Sequence, residues 1–172
     1  QQAIGYVPQE IFLTDLTVRE NIAFGLPGDQ IDEARVLEAA KIAQIHDFIL
    51  EELQDGYDTN VGERGIRLSG GERQRIGIAR ALYNQADLVL FDEATSALDN
   101  ATEKDVMRAV EALPGDKTLV MIAHRLSTLA GCDRILVLKR GEIAGFDSWA
   151  ALERDCPEFR EIAQGLKGKE DR

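Results

Sequence analysis

The sequence has 172 residues, a length that suits one domain with its own hydrophobic core. Apolar residues make up 44% and charged residues 30%, the composition of an ordinary soluble globular protein. Acidic residues outnumber basic ones 31 to 20, and the resulting net charge of −11 argues against a general nucleic-acid-binding protein. No apolar run approaches the roughly 18 residues needed to cross a bilayer. Cys132 and Cys156 lack metal-ligand or redox spacing, so we expect reduced thiols of a cytosolic protein.

The first half predicts one strand and then a run of helices. Ile4–Val7 is a short apolar run that stops at Pro8, as a buried strand would. Thr17 and Glu20 have the spacing of a capping box, which predicts a short helix through Phe24. Three further helices are expected, with a polar, glycine-rich loop before the last: Asp32–Ala43, Ile45–Leu53, the loop Asp55–Arg67, and Gly70–Asn84. The stretch 18–57 therefore resembles a helical insert.

The second half alternates strands and helices, which predicts an α/β domain. Leu88–Phe91 is continuously apolar, as in a strand of a parallel sheet buried on both faces. The other expected elements are a helix Ala101–Leu113, a buried strand Thr118–Ala123, a hairpin of Ile135–Leu138 and Glu142–Phe146, and helices Trp149–Arg154 and Pro157–Gly165.

Polar residues follow three of the apolar strands. Gln9 follows the first, Asp92 and Glu93 the second, and His124 the third. Ligands of open α/β sheets bind beyond the carboxyl ends of the strands, so we expect these side chains to converge. Asp92 and Glu93 point to opposite sides of an extended chain, so one can hold Mg²⁺ while the other orients or deprotonates water. The alternative for the two acids is a solvated strand end that caps the next helix.

A second candidate binding feature is the start of the helix at Gly70. Ser69 and Glu72 form a capping-box pattern, and Gly70 and Gly71 let a ligand approach the backbone closely. Free N–H groups and the helix dipole favour an anion at this position. The alternative is a capped helix with nothing bound. For His124 the alternative is a structural hydrogen bond, whereas its place beside the carboxylates favours a phosphate contact.

Taken in order, these segments resemble the motifs of the ATP-binding cassette family. Leu68–Arg75 resembles the signature motif, and Leu88–Glu93 resembles the Walker B strand with its catalytic glutamate. The other resemblances are Ser96–Asp99 to the D-loop, His124 to the switch histidine, Gln9 to the Q-loop glutamine, and Thr59–Gly65 to the exporter loop that senses transmembrane domains.

The resemblance implies a P-loop NTPase-like parallel sheet flanked by helices, with an inserted helical subdomain. It divides the chain into a Q-loop strand and loop (1–16), a helical subdomain with the signature motif (17–84), a core with Walker B, D-loop and switch histidine (85–166), and a frayed tail (167–172). ATP and Mg²⁺ are the implied cofactors. By this resemblance, Asp92 would bind Mg²⁺ through water, Glu93 would polarise the attacking water, His124 would contact the γ-phosphate, and Gln9 would join the metal site.

The resemblance also implies partners and a location. Two such domains pair head to tail, so that Ser69, Gly70 and Gly71 meet ATP held by the partner, and Asp99 lies at the interface. Gln9, Glu63 and Arg64 contact transmembrane domains, which tether the full-length protein to the cytoplasmic face of a membrane; the fragment itself is expected to be soluble. No nucleic acid is expected as a partner.

One family motif, the phosphate-binding loop G-x-x-x-x-G-K-[ST], does not occur in these 172 residues. The family places this loop before the Q-loop strand, so we expect a C-terminal fragment without the P-loop strand and the N-terminal β-subdomain. We expect the isolated chain neither to bind nor to hydrolyse ATP. Mg²⁺-dependent turnover by the isolated chain, abolished by Glu93→Gln, would overturn this expectation.

Three functional interpretations follow from the sequence. The favoured one is the ATP-hydrolysing, energy-coupling domain of an exporter, supported by the 59–65 loop. The second is an ATPase of DNA repair or chromosome maintenance, which would carry coiled coils and basic surfaces. The third is a truncated, non-catalytic interaction module. The transported substrate and the choice between a homodimer and a heterodimer stay open, because neither is encoded in these motifs.

Overall fold

The structure is a computed structural model that describes residues 4–94, 98–111, 117–122 and 129–170. The chain divides between Met121 and Ile122 into two compact units. Within the described ranges, no helix is long and apolar enough to cross a membrane.

The first unit is built on a three-stranded sheet, in the order β1 (Ile4–Val7), β2 (Leu88–Asp92) and β3 (Thr118–Ile122). β1 and β2 are parallel, with Val7 opposite Phe91, so the predicted parallel sheet is confirmed. Burial alternates along all three strands. In β2, which was expected to be buried on both faces, half-buried residues alternate with buried Val89 and Phe91, whereas β1 and β3, which were expected to be buried, expose alternate residues. The exposed side chains include Ile4, Tyr6, Val120 and Ile122.

One helix of this unit, Gly70–Tyr83, contacts β1, and the helices Val18–Ile22 and Glu33–Ile42 pack against this helix. The bounds are α1 (Val18–Ile22), α2 (Glu33–Ile42), α3 (His46–Glu52), α4 (Gly70–Tyr83) and α5 (Asn100–Glu111), with 3₁₀ turns at Gly28–Gln30, Gly56–Asp58 and Glu63–Gly65. Both predicted capping boxes are present, at Thr17 and at Ser69. α1 ends two residues earlier than expected, since the chain already turns at Ala23, where ψ is 37°.

Helix α4 packs directly against β1 because glycine removes the side chain at the contact. A Cβ atom on Gly5 would lie 2.7 Å from the backbone carbonyl oxygen of Ala81. A Cβ on Gly77 would lie 2.3 Å from Cδ1 of Ile11, in the segment that follows β1. Helix α4, whose N-cap is Ser69, is therefore in close contact with the strand that leads to Gln9.

This contact predicts that Gly5→Ala destabilises the protein. The Ala81 carbonyl belongs to the helix backbone and cannot rotate away, so we expect a loss of about 1–3 kcal/mol in the free energy of unfolding. The control is Gly28→Ala, because no atom lies within 4 Å of a Cβ at Gly28. That change should raise stability by about 0.4–1 kcal/mol. Urea unfolding followed by far-UV circular dichroism measures both, and equal midpoints would contradict the close contact.

The second unit begins with the predicted hairpin, β4 (Ile135–Lys139) and β5 (Glu142–Asp147), which is antiparallel. Arg140 and Gly141 form its turn, with φ of 53° and 84°. Two helices follow, α6 (Trp149–Asp155) and α7 (Pro157–Glu170). α7 extends past its expected end at Gly165, because Leu166 continues the buried face that Phe159 begins seven residues earlier.

Candidate active site

The carboxyl ends of β1 and β2 bring together three of the predicted site residues. Val7 and Phe91 form the last pair of the parallel ladder, and Gln9, Asp92 and Glu93 follow it. Nε2 of Gln9 donates a hydrogen bond to Oε2 of Glu93 at 2.9 Å. The expected proximity of the amide and a carboxylate at this edge is therefore observed.

Asp92 has a different partner, which sequence reasoning missed. The hydroxyl of Tyr6 donates a hydrogen bond to Oδ2 of Asp92 at 3.0 Å. This bond, followed by partial desolvation and the negative charge of Asp92, raises the pKa of Tyr6 above its usual value. Tyr6 therefore stays protonated, and a donor, throughout the neutral range. The two adjacent acids are thus held by different residues, Asp92 by β1 itself and Glu93 by the loop after it.

The backbone of Glu93 departs from the extended conformation that the sequence argument assumed. β2 ends at Asp92, and Glu93 has a φ of 49°, in the left-handed region. Strand alternation therefore does not set the orientation of Glu93 relative to Asp92. A left-handed conformation costs a residue other than glycine about 1–2 kcal/mol, and such strain is concentrated at functional sites.

The N-terminus of α4 is an exposed, well-capped helix end. The N–H of Glu72 donates to Oγ of Ser69 at 3.3 Å, and the N–H of Ser69 donates to Oε2 of Glu72 at 2.8 Å. Ser69 and Gly70 are exposed, and Gly71 is half-buried. The capping box is therefore present, and the exposed helix end is also accessible to an anion.

Asp99 lies at the start of α5 and is exposed. Its Oδ1 accepts from the N–H groups of Ala101 and Thr102, both at 3.0 Å, and its Oδ2 accepts from Oγ1 of Thr102 at 2.6 Å. The hydrogen bond from the Thr102 hydroxyl is the main reason that the pKa of Asp99 is lowered. The Asp-x-x-Thr spacing was a signal for this cap that the sequence reasoning did not use.

Parts of two predicted motifs lie outside the residues that the structure describes. These are His124, the proposed γ-phosphate contact, and Ser96 and Ala97 of the D-loop segment.

The loop that contains Glu63 and Arg64 is tied to the segment after Gln9. Thr17 and Asn60 form an antiparallel bridge. The N–H of Val18 donates to the carbonyl of Thr59 at 3.0 Å, and the N–H of Val61 donates to the carbonyl of Leu16 at 3.1 Å. Glu63 and Arg64 are exposed beyond this bridge.

A buried polar network links the segment after Gln9 to α4, and the sequence alone did not predict it. Asn21 is fully buried, and its Oδ1 accepts from the N–H of Thr14 at 3.0 Å and from Arg80 at 3.1 Å. Arg80 also donates to the carbonyls of Asn21 at 2.8 Å and Phe12 at 2.9 Å. Burial lowers the pKa of the Arg80 guanidinium, which remains charged at neutral pH because an arginine pKa starts so high.

Comparison with known proteins identifies the family of this fold and site. The family model described as "ABC transporter" matches residues 1–96, more than half of the chain. The chain is 46% identical over all 172 residues to an ATP-dependent lipid A-core flippase of Syntrophus aciditrophicus, and covers 28% of that protein. It is 52% identical over 152 residues to ABC transporter B family member 22 of Arabidopsis thaliana, covering 88% of this chain and 12% of the plant protein.

A solved structure agrees with these sequence matches. The structure of a bacterial Atm1-family ABC exporter with ATP bound matches 95% of this chain and 28% of its own, with a TM-score of 0.86 and 47% identity. The chain thus spans between about an eighth and somewhat over a quarter of the relatives named here. On the family match, the relatives and the shared α/β fold, the chain belongs to the ABC transporter family.

Proposed function

We propose that this chain supplies the hydrolytic carboxylates of an ATP-driven exporter, so that ATP hydrolysis drives transport of a substrate across a membrane. The observation that carries the proposal is the cluster at the ends of β1 and β2, where Gln9 contacts Glu93 beside Asp92. Membership of the family supports nucleotide binding. None of the relatives named above is a DNA-repair or chromosome-maintenance ATPase, so the comparisons give no support to that alternative.

The oxygen-rich cluster suits Mg²⁺ when the metal arrives with a nucleotide. Within the described residues, no group of three or more His, Cys, Asp or Glu side chains could hold a metal alone. Mg²⁺ commonly takes only one or two carboxylates and completes its shell with water and phosphate oxygens. Asp92 would hold the ion through water and Gln9 would join it with its amide oxygen. When bound, Mg²⁺ would neutralise charge that develops on the phosphates.

Glu93 would act on the attacking water. A carboxylate at hydrogen-bond distance orients water and accepts its proton as the phosphorus–oxygen bond forms. The amide of Gln9 fixes the position of this carboxylate, since it donates to Oε2 at 2.9 Å. His124 would donate a hydrogen bond to the γ-phosphate and stabilise its charge.

The exposed end of α4 would serve a second nucleotide-binding domain. Ser69, Gly70 and Gly71 present an uncovered helix N-terminus, and such a terminus binds phosphate through free N–H groups and the helix dipole. In a head-to-tail dimer this terminus would meet ATP held by the partner, and exposed Asp99 would lie at the interface. Each hydrolytic site would then be complete only when two chains meet.

Gln9, Glu63 and Arg64 would contact transmembrane domains at the cytoplasmic face of the membrane. The support is structural continuity: the bridge between Thr17 and Asn60 joins the segment after Gln9 to the loop that carries Glu63 and Arg64. A displacement of this loop by the transmembrane domains would therefore be transmitted to the segment after Gln9, and so to the carboxylate cluster. We assign 1–16 to the Q-loop strand and loop, 17–84 to the helical subdomain, 85–166 to the core and 167–172 to the tail.

Removal of Mg²⁺ tests the proposed function. The protein encoded by the full reading frame that contains these residues should release phosphate from ATP with Mg²⁺ present, and EDTA should bring turnover to background. Turnover should return when Mg²⁺ is added in excess of EDTA. Phosphate release that is unaffected by EDTA, or no release under any condition, would contradict the proposal.

A further inference from the structure

Tyr6 occupies the exposed face of β1, where the neighbouring exposed residue is Ile4. Gly5 and Val7 point the other way and are buried, as strand alternation requires. In the parallel register Tyr6 lies opposite Leu90, two residues before Asp92. Two residues of a parallel strand span about 6.6 Å, a distance that the phenol bridges and an aliphatic side chain at this position does not. The register and the length of tyrosine together place its hydroxyl at the Asp92 carboxylate.

The Tyr6 hydroxyl contacts one oxygen of Asp92, Oδ2, at 3.0 Å. A carboxylate has about four lone-pair positions over two oxygens, so one phenol donor leaves acceptor capacity for a hydrated cation. Metal-binding carboxylates depend on outer hydrogen bonds that hold their orientation, and loss of such a bond typically weakens metal binding about 10–100-fold. The Tyr6–Asp92 contact has the geometry of such an outer bond.

We propose that Tyr6 is a positioning residue that holds the Asp92 carboxylate ready for Mg²⁺ bound with ATP. The inference rests on the proposed function, since it assigns the metal to Asp92. Tyr6 itself touches neither metal nor nucleotide in this account. It acts only through the orientation of Asp92, whose Oδ2 it contacts.

Tyr6→Phe tests the inference, because it removes the hydroxyl and keeps the ring. The matched control is Tyr83→Phe, which also removes a phenol oxygen in the first unit, one that accepts from the N–H of Asp32 at 2.9 Å. In the full reading-frame protein, Mn²⁺ binding in the presence of a non-hydrolysable ATP analogue is measured by electron paramagnetic resonance. The Mg²⁺ concentration for half-maximal ATP turnover is measured in parallel.

We expect Tyr6→Phe to weaken Mn²⁺ binding about tenfold, and to raise the half-maximal Mg²⁺ concentration similarly, while turnover at saturating Mg²⁺ changes less. Tyr83→Phe should leave both metal constants at the wild-type value. If the wild-type protein is active and the Tyr6→Phe variant has the same metal constants as the Tyr83→Phe variant, the proposed role of Tyr6 is overturned while the proposed function stands. A wild type that neither hydrolyses ATP nor binds Mn²⁺ with the analogue would overturn both this inference and the proposed function.

Discussion

Glu93→Gln should lower the rate of ATP hydrolysis at least about 100-fold in the full reading-frame protein, because it removes the group that we propose accepts a proton from water. The substitution preserves shape, and the new amide oxygen still accepts from Nε2 of Gln9, where Oε2 now accepts at 2.9 Å. Nucleotide binding should therefore persist while hydrolysis is lost. Single-turnover phosphate release and equilibrium binding of ATP, measured side by side, separate the two effects.

The matched control for this substitution is Glu51→Gln, an exposed glutamate on α3. It changes the net charge by the same amount and should leave turnover at the wild-type value. If the Glu93→Gln variant hydrolyses ATP at a rate within about threefold of the wild-type rate, Glu93 is not the general base, since a general base contributes about 10²–10⁴-fold to the rate.

Asn21→Ala should lower the free energy of unfolding by about 3 kcal/mol, because it removes several hydrogen bonds at a fully buried site, among them the acceptor of the Thr14 N–H. Nδ2 of Asn21 donates to the carbonyls of Thr14 at 3.1 Å and Thr17 at 3.0 Å, and Oδ1 accepts from Arg80 at 3.1 Å. Buried donors and acceptors that lose their partners cost about 1–3 kcal/mol each, less any relaxation. Urea unfolding followed by circular dichroism measures the loss.

Arg80→Met should lower the free energy of unfolding by about 2 kcal/mol, because it removes the hydrogen bonds but keeps the apolar stem of the side chain. Asn21 and Arg80 share one network, so the double variant should be more stable than the sum of the two losses predicts, by at least about 1 kcal/mol. Asn84→Ala, at an exposed position, is the control and should change stability by less than about 0.5 kcal/mol. Additive losses in the double variant would show that the two side chains do not act together.

The network also has a functional consequence. Arg80 lies on α4, the helix capped by Ser69, and it donates to the carbonyl of Phe12, three residues after Gln9. The signature helix and the segment after Gln9 are therefore held together by a charged hydrogen bond in addition to apolar packing. Variants of Asn21 or Arg80 that still fold should hydrolyse ATP more slowly, because the carboxylate cluster loses its fixed relation to α4.

Local signals in the sequence predicted the starts of α1 and α4 and the end of β1 well. Thr17 with Glu20, and Ser69 with Glu72, satisfy the first N–H groups of their helices, and this requirement depends only on neighbouring residues. The approach of Gln9 to Glu93 was predictable because parallel strands end at the same edge of a sheet.

Features that depend on register or on distant packing were not predictable. The contact between Tyr6 and Asp92 requires Tyr6 to stand opposite Leu90, and no local pattern sets that register. Glu93 has a left-handed backbone, whereas its position directly after an apolar strand suggested an extended residue. Asn21 is polar yet fully buried. This burial was not predictable, because one of the partners that satisfy its side chain, Arg80, lies far away in the sequence.

In the proposed dimer, each hydrolytic site would combine the Gln9, Asp92 and Glu93 cluster of one chain with the α4 terminus of another. Two substitutions separate these halves. Glu93→Gln disables the cluster. Gly71→Asp places a negative charge where phosphate would bind, yet keeps the helix, since an acidic residue in the first turn is favourable there.

ATP hydrolysis by two tandem fusions of the full reading frame tests this claim most directly. One fusion carries both substitutions in the same copy, and the other carries one substitution in each copy. If sites form between copies, the second fusion retains one intact site and Mg²⁺-dependent turnover, while the first is at background. Turnover in the first fusion and none in the second would show that each chain completes its own site, and would contradict the account.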